Sequence, residues 1–235
     1  MQREAPFLNN EIYHIYNRGA HKADVFLGED DYARFQLLLF LGNHAGKPFR
    51  FDDLVRKYKA KGLPQGPSLR KAVFQEEKPD QELVDVLGYV LMPNHFHLIL
   101  RQRSENGVTQ FMKKVGTAHS MYFNTRHEHS GTVFQGKFKG KHVDSGEYLR
   151  WLFAYVALNP LDLMFPKWEE VGVEPTVAFK FLKTYQHASF PDMDEESKRP
   201  EQVILSKEAL GEVVSDVPDL SNMSELFEIQ KSGMV

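Results

Sequence analysis

The chain has 235 residues, no cysteine, 42% hydrophobic residues and a formal net charge of −3 at neutral pH, a length that suits one large domain or a compact catalytic domain with an appendage. The lack of cysteine excludes disulfides, cysteine-ligated zinc and thiol catalysis, and it fits a reducing compartment, with the cytoplasm as the default. Charge is unevenly spread: residues 186–235 carry 11 acidic and 4 basic side chains and residues 1–185 carry 25 basic against 21 acidic, so a mildly basic body able to meet nucleic acid precedes an acidic end.

The richest apolar runs, FQLLLFLG and WLFAYVALN, fall far short of the roughly 20 residues that span a bilayer, so no membrane association is expected. Residues 11–17 (EIYHIYN) are β-branched and aromatic and read as a strand closed by Arg18-Gly19. Residues 29–42 begin with acids and place Phe35, Leu38, Leu39 and Phe40 as a helix. Residues 43–82 are charged and broken by GKP and LPQGPS; they read as an insertion on the domain surface, with a helix at Asp52–Lys61. From Val84 to Arg101 two apolar runs, VDVLGYVLM and HFHLILR, meet at Pro93-Asn94 as in a strand pair.

Ser104 or Asn106 then caps a helix whose apolar face is Val108, Phe111, Met112, Val115, Ala118 and Tyr122, at spacings of three and four. Residues 131–143 read as extended. Asp144 or Ser145 caps a further helix running to about Leu158, which Pro160 stops. Strand, helix, strand, strand, helix, strand is the order of a ferredoxin-like α+β fold, an antiparallel sheet with helices on one face, here with one extra helix packed against it. This places a folded domain at 1–185, and FPDMDEESKRPEQ opens an acidic linker and short tail at 186–235.

Three patterns carry chemistry. In a strand, residues i and i+2 share a face, so His95 and His97 stand side by side while Phe96 points to the core. Two neutral imidazoles so placed can chelate one metal ion, although an isolated pair is equally consistent with two satisfied histidines on a half-buried strand. His127 and His129 have the same spacing but lie in a polar stretch before Ser130-Gly131, where a solvated turn is expected. On the Glu147–Leu158 helix, Tyr155 and Asn159 are four apart and share a face one turn apart; Tyr148 lies two turns earlier on roughly that face. In GTVFQGKFKGKHV, Lys137, Lys139 and Lys141 alternate along an extended segment with Phe134 and Phe138 nearby, a pattern that suits either a phosphate backbone and stacked bases or a solvated edge strand guarded by lysine. Gly131 to Lys137 imitates a nucleotide-binding loop, but Phe138 replaces the hydroxyl residue that binds magnesium and no buried strand precedes it.

In order along the chain, YHIYNRG at 13–19, GYVLMPNHFHLIL at 88–100, YFNTRHEHSG at 122–131, FQGKFKGKHV at 134–143 and YVALNP at 155–160 resemble the motifs of REP-associated tyrosine transposases, a single-tyrosine HUH family, over residues 11–165. The resemblance implies the HUH endonuclease fold, with His95 and His97 as metal ligands, Tyr155 as nucleophile and Asn159 as the polar residue that assists the metal. It further implies Mg²⁺ or Mn²⁺ as cofactor, single-stranded or hairpin DNA as partner, and cleavage and rejoining through a 5′-phosphotyrosine bond with a free 3′-OH. Arg18, Lys137, Lys139 and Lys141 are the expected DNA contacts. The 43–82 insertion is longer than the family pattern, and the acidic tail matches no motif of it. Two other readings stay open: a hairpin-binding regulator that keeps the fold without the chemistry, and a hydrolase that uses a metal-bound water and forms no covalent adduct. Monomer and homodimer are both compatible with the sequence.

Overall fold

Four period-two segments pair into one antiparallel sheet: β1 (Ile12–Arg18), β2 (Val84–Met92), β3 (His95–Gln102) and the short β4 (Lys139–His142), in the spatial order β2-β3-β1-β4. The computed structural model describes residues 6–46, 51–60, 62, 67–77, 81–194 and 196–233. Helix α1 (Glu29–Leu41) follows β1, α2 (Phe51–Ala60) and α3 (Pro67–Glu76) lie between it and β2, α4 (Gly107–Arg126) follows β3, and α5 (Gly146–Leu158) follows β4. Order and pairing are those of the ferredoxin-like α+β fold.

The alternation of β3 decides where everything else packs. Phe96, Leu98 and Leu100 face the layer of α1 and α4, where Phe35, Leu39, Val108, Phe111 and Val115 bury them. Ile99 faces the other way and joins Leu87, Val90 and Met92 of β2 against Leu149, Leu152, Phe153 and Val156 of α5. Each such fully buried side chain contributes about 1.5–3 kcal/mol relative to exposure, so both faces of the sheet are committed. The expected helices on one face are therefore α1 and α4, and the helix carrying Tyr155 covers the opposite face. It starts at Ser145, whose Oγ accepts a hydrogen bond from the Tyr148 amide at 3.2 Å.

Residues 43–82 are not a surface insertion throughout. Leu54 and Tyr58, four apart on α2, and Val73 and Phe74 on α3 are buried in the same core as α1, with Phe74 edge-on to Phe40 at 5.3 Å between centroids. The abundant charge of this stretch hides a narrow apolar stripe at helical spacing. The expected helix end at Lys61, Pro48 of GKP and residues 63–66 of LPQGPS lie outside the described residues. The extended stretch expected over 131–143 also contracts, because only Lys139–His142 enter the ladder; Gly131 and Gly136 take φ values of +103° and +143° and bend the chain before it. Pro160, with φ −63° and ψ −17°, does not take the chain out of helical conformation but leads into the short α6 (Leu161–Met164). Then come α7 (Trp168–Val171) and α8 (Pro175–Thr184).

The segment after 185 is not a loose linker and tail. After Ile204 and Leu205 enter the first core, α9 (Lys207–Glu212) and α10 (Met223–Lys231) form, and Met223 and Leu226 of α10 pack with Ala154, Ala157 and Leu158 of α5 and with Leu182. Four of its acids pair with cations of the preceding chain: Glu225 with Arg150 of α5, Glu201 with Arg70 at 3.1 Å, Asp194 with Lys183 at 2.7 Å, and Glu212 with Arg101. The acidic composition thus marks a wall that complements the basic body. Among the described residues no helix is long and apolar enough to cross a membrane.

Because Leu226 is fully buried, Leu226→Ala should lower the unfolding free energy by about 2–5 kcal/mol. Urea unfolding followed by circular dichroism measures this; a decrease under about 1 kcal/mol would mean that α10 does not share the core of α5.

Candidate active site

The face of the sheet under α5 is divided along its length. Its middle is apolar. Toward the end where β3 begins, register brings polar side chains of three strands together: Arg18 pairs with His95, Tyr16 with His97, and Lys139 of β4 with Tyr16. Residues two apart along each strand point the same way, so His14, Tyr16 and Arg18 of β1 share this face with His95 and His97 of β3. An open cleft of about 490 Å³ forms here, lined by Tyr16, Asn17, Arg18, His95, His97, Gln135, Lys137, Lys139 and Tyr155.

Two backbone approaches shape the cleft. A Cβ on Gly19 would stand 1.9 Å from the Ala23 carbonyl oxygen, so only glycine allows the tight exit from β1 after Arg18. The 133–136 segment is then tied to that exit: the Ala20 amide donates to the Val133 carbonyl, the Gln135 amide to the Arg18 carbonyl, and Asn17 Nδ2 to the Gly136 carbonyl at 3.0 Å. These bonds hold Gln135 and Lys137 beside the histidines. On the far side of β4, Gly140 leaves room for Phe7, whose ring a Cβ would meet at 2.9 Å; the lysines either side of it face the α5 side.

Hydrogen bonds orient the two histidines. Asn94 Nδ2 donates to the Lys22 carbonyl, which turns its Oδ1 toward His95 Nδ1 at 2.6 Å. An amide oxygen only accepts, so His95 carries its proton on Nδ1 and leaves the Nε2 lone pair free. His97 Nδ1 lies 2.8 Å from His14 Nε2, and its Nε2 lies 3.3 Å from Tyr155 Oη. Tyr155 is held by a stacked Trp151 ring at 5.0 Å and by an edge-on approach to the His97 ring, also at 5.0 Å.

Burial governs the protonation of the group. It pushes His95 down, with Arg18 adding to that and the Asn159 side chain opposing it. Burial, His14 and His95 hold His97 well below the ordinary histidine range. Burial, aided by Lys141, brings His14 down to about 4. All three rings are therefore neutral near pH 7, the state in which imidazole lone pairs ligate metals. Burial pushes the Tyr155 phenol up, the Asn159 side chain acts against this, and Asp162, Glu169 and Tyr16 reinforce it. Unaided, Tyr155 stays a protonated phenol at neutral pH.

Asn159 closes α5 one turn after Tyr155; its side chain lies close enough to His95 and Tyr155 to act on both, but its buried Oδ1 makes no hydrogen bond of good geometry. An orphaned buried acceptor costs about 1–3 kcal/mol, and a cation beside it would remove that cost. Among the described residues no cluster of three His, Cys, Asp or Glu side chains could hold a metal. The donor set this site offers is therefore two imidazole nitrogens and one amide oxygen, which fits a divalent ion that takes its remaining ligands from water or phosphate.

His95, His97, Tyr155 and Asn159 thus come together, and Arg18, Lys137 and Lys139 line the same cleft. Lys141 does not: its Nζ sits 4.4 Å from the centre of the Tyr148 ring, outside the cleft lining. Tyr148 is buried against Trp151 and is likewise outside the lining. His127 pairs with Asp31 at 3.0 Å and His129 with Asn124 at 2.8 Å, away from the cleft. Sequence reasoning passed over His14, Tyr16, Asn17 and Gln135. The alternation of His14, Tyr16 and Arg18 in YHIYNR was the available signal, but it gains meaning only from the register with His95 and His97.

Residues 54–159 match the family model described as "Transposase IS200 like". No curated protein matches the sequence. Among solved structures, a REP-associated tyrosine transposase bound to a REP hairpin aligns over 86% of this chain and 90% of its own, at 10% identity and a TM-score of 0.43. A tRNA(His) guanylyltransferase from Saccharomyces cerevisiae aligns over 89% of this chain and 82% of its own, at 11% identity and a TM-score of 0.30. Both likenesses are distant. The two cleft histidines, the tyrosine and the asparagine all fall within residues 54–159, the stretch that matches the IS200-like transposase model.

Proposed function

We propose that the chain is a transposase that cuts and rejoins single-stranded DNA at hairpins, with Tyr155 as nucleophile and with His95, His97 and Asn159 holding Mg²⁺ or Mn²⁺. The observation that carries this reading is the meeting of Tyr155 Oη with His97 Nε2 at 3.3 Å inside a cleft edged by Arg18, Lys137 and Lys139. The family match over 54–159 and the unpartnered Oδ1 of Asn159 support it.

A phosphodiester resists attack because its anionic oxygens repel the nucleophile. A bound divalent cation supplies charge that polarises one of those oxygens and favours ionisation of a nearby phenol. The chain's residues supply the rest. Arg18, Lys137 and Lys139 attract the backbone, and the half-buried Tyr16 ring offers a base a surface to stack on. Trp151 and His97 pin the Tyr155 ring, so its Oη approaches the phosphorus in one orientation. The Tyr155 O–P bond forms as the P–O3′ bond breaks; the phenol gives up one proton and the departing O3′ gains one. The resulting 5′-phosphotyrosine keeps the phosphodiester's energy, so attack by a 3′-OH reverses the step without ATP.

Tyr155→Phe removes one oxygen and keeps the ring against Trp151. The variant should bind hairpin DNA as the parent does and form no denaturant-resistant adduct, whereas Tyr148→Phe should still form one. Mass spectrometry of the parent adduct should place the DNA on the peptide containing Tyr155; strand cleavage without any adduct would favour a metal-bound-water hydrolase.

His95→Ala should abolish cleavage in Mg²⁺ and leave hairpin binding within about threefold of the parent, since its proposed task is ligation rather than grip. Chelation of divalent ions by EDTA should do the same to the parent, and full cleavage in either experiment removes the metal from the mechanism.

Lys137→Ala with Lys139→Ala should reduce the log–log salt slope of single-strand binding by about 0.7 for each phosphate that the missing ammonium group neutralises in the parent. Lys141→Ala, placed over Tyr148, should change the slope less. Fluorescence anisotropy across a salt series measures both, and an unchanged slope for the double variant would make β4 a plain edge strand.

A further inference from the structure

His95 and His97 differ in what faces Nδ1. For His95 it is an amide oxygen, which allows one polarity only. For His97 it is the Nε2 of His14 at 2.8 Å, and two imidazoles can share one proton either way round. His14 is buried, with ring centroids of Tyr16, His97 and Tyr155 at 4.9, 5.0 and 6.1 Å. Register puts His14 opposite Ile99 and Tyr16 opposite His97, so His14 reaches His97 across the diagonal of the β1–β3 pair. Nothing in the chemistry described above uses it.

We propose that His14 is a positioning residue that accepts the Nδ1–H of His97 and so keeps the Nε2 lone pair of His97 aimed at Tyr155 and the cleft. The inference rests on the reading of this cleft as a metal-dependent DNA-cleaving site. With the opposite polarity, His97 would carry its proton on Nε2 and present a donor to the phenol and to any cation, and the site would lose one of its two imidazole ligands. Ligating histidines commonly donate their second ring nitrogen to a fixed acceptor that sets tautomer and orientation. Here Asn94 fills that place for His95, and His14 fills it for His97. A neutral imidazole is the more basic of the two acceptors, so His97 becomes the more electron-rich ligand, on the side of Tyr155.

Long-range ¹H–¹⁵N correlation spectra of the ¹⁵N-histidine-labelled, metal-free protein read the tautomer directly, with the His97 signals assigned by their disappearance in His97→Gln. The parent should show His97 protonated on Nδ1. His14→Phe keeps a ring in the aromatic cage and removes the acceptor; it should shift His97 toward the Nε2–H form and weaken Mn²⁺ binding, measured by calorimetry, by about tenfold or more. His14→Gln offers an amide oxygen at nearly the position of the replaced Nε2 and should restore both readings to near the parent's. An Nε2–H tautomer in the parent, or Mn²⁺ affinity within twofold of the parent's in a folded His14→Phe, would overturn the proposal. Should His14→Phe fail to fold, the parent spectrum and His14→Gln decide. A parent that forms no covalent adduct with hairpin DNA would remove the cleavage reading, while the tautomer would still be measured.

Discussion

β3 is buried on both faces, and its side chains must alternate between two different partners. Phe96, Leu98 and Leu100 belong to the layer of α1 and α4, and His95, His97 and Ile99 belong to the face under α5. A shift of one residue in its pairing would exchange the two sets, placing imidazoles in an apolar core and phenylalanine in the cleft. The large apolar side chains on one side therefore hold the histidines in register on the other. The geometry of the candidate site is secured by hydrophobic burial that takes no part in its chemistry.

The same burial sets the electrostatics. α5 covers the middle of its face with Leu152, Phe153 and Val156, and the histidines lie at the margin of that cover, where Tyr155, stacked on Trp151, meets His97. Removal from water keeps the imidazoles neutral and the phenol protonated, which leaves nitrogen lone pairs available and a phenol that, in the proposed role of nucleophile, requires help to ionise. Solvated positive charge is kept to the rim, on Arg18, Lys137 and Lys139. Uncharged imidazoles within and cations at the edge suit the proposed function, in which the site draws in a polyanion and then acts on one phosphate of it.

The position of α5 depends on more than the sheet. On its other side Ala154, Ala157 and Leu158 meet Met223 and Leu226 of α10, and Arg150 pairs with Glu225. Tyr155 is thus carried by a helix packed between the sheet and the C-terminal segment. Small residues on α5 allow the close approach of α10, and several acids of that segment, which by composition suggested a solvated tail, pair with arginines of the body.

Sequence by itself determined what depends on short-range spacing. The period-two runs marked the strands, the shared face of His95 and His97 follows from the two-residue repeat, and the one-turn separation of Tyr155 and Asn159 follows from the helical repeat. The motif resemblance joined these pieces because it spans several of them at once. Tertiary structure alone decided what depends on register and packing between distant segments. His14 meets His97 across 83 residues of chain, Tyr16 enters the cleft because β1 pairs with β3, and Lys141 leaves it for the Tyr148 ring because α5 starts above β4. Charge concealed the burial of α2, α3 and α10, since a helix needs only two or three apolar residues on one stripe to join a core, and composition averages that stripe away.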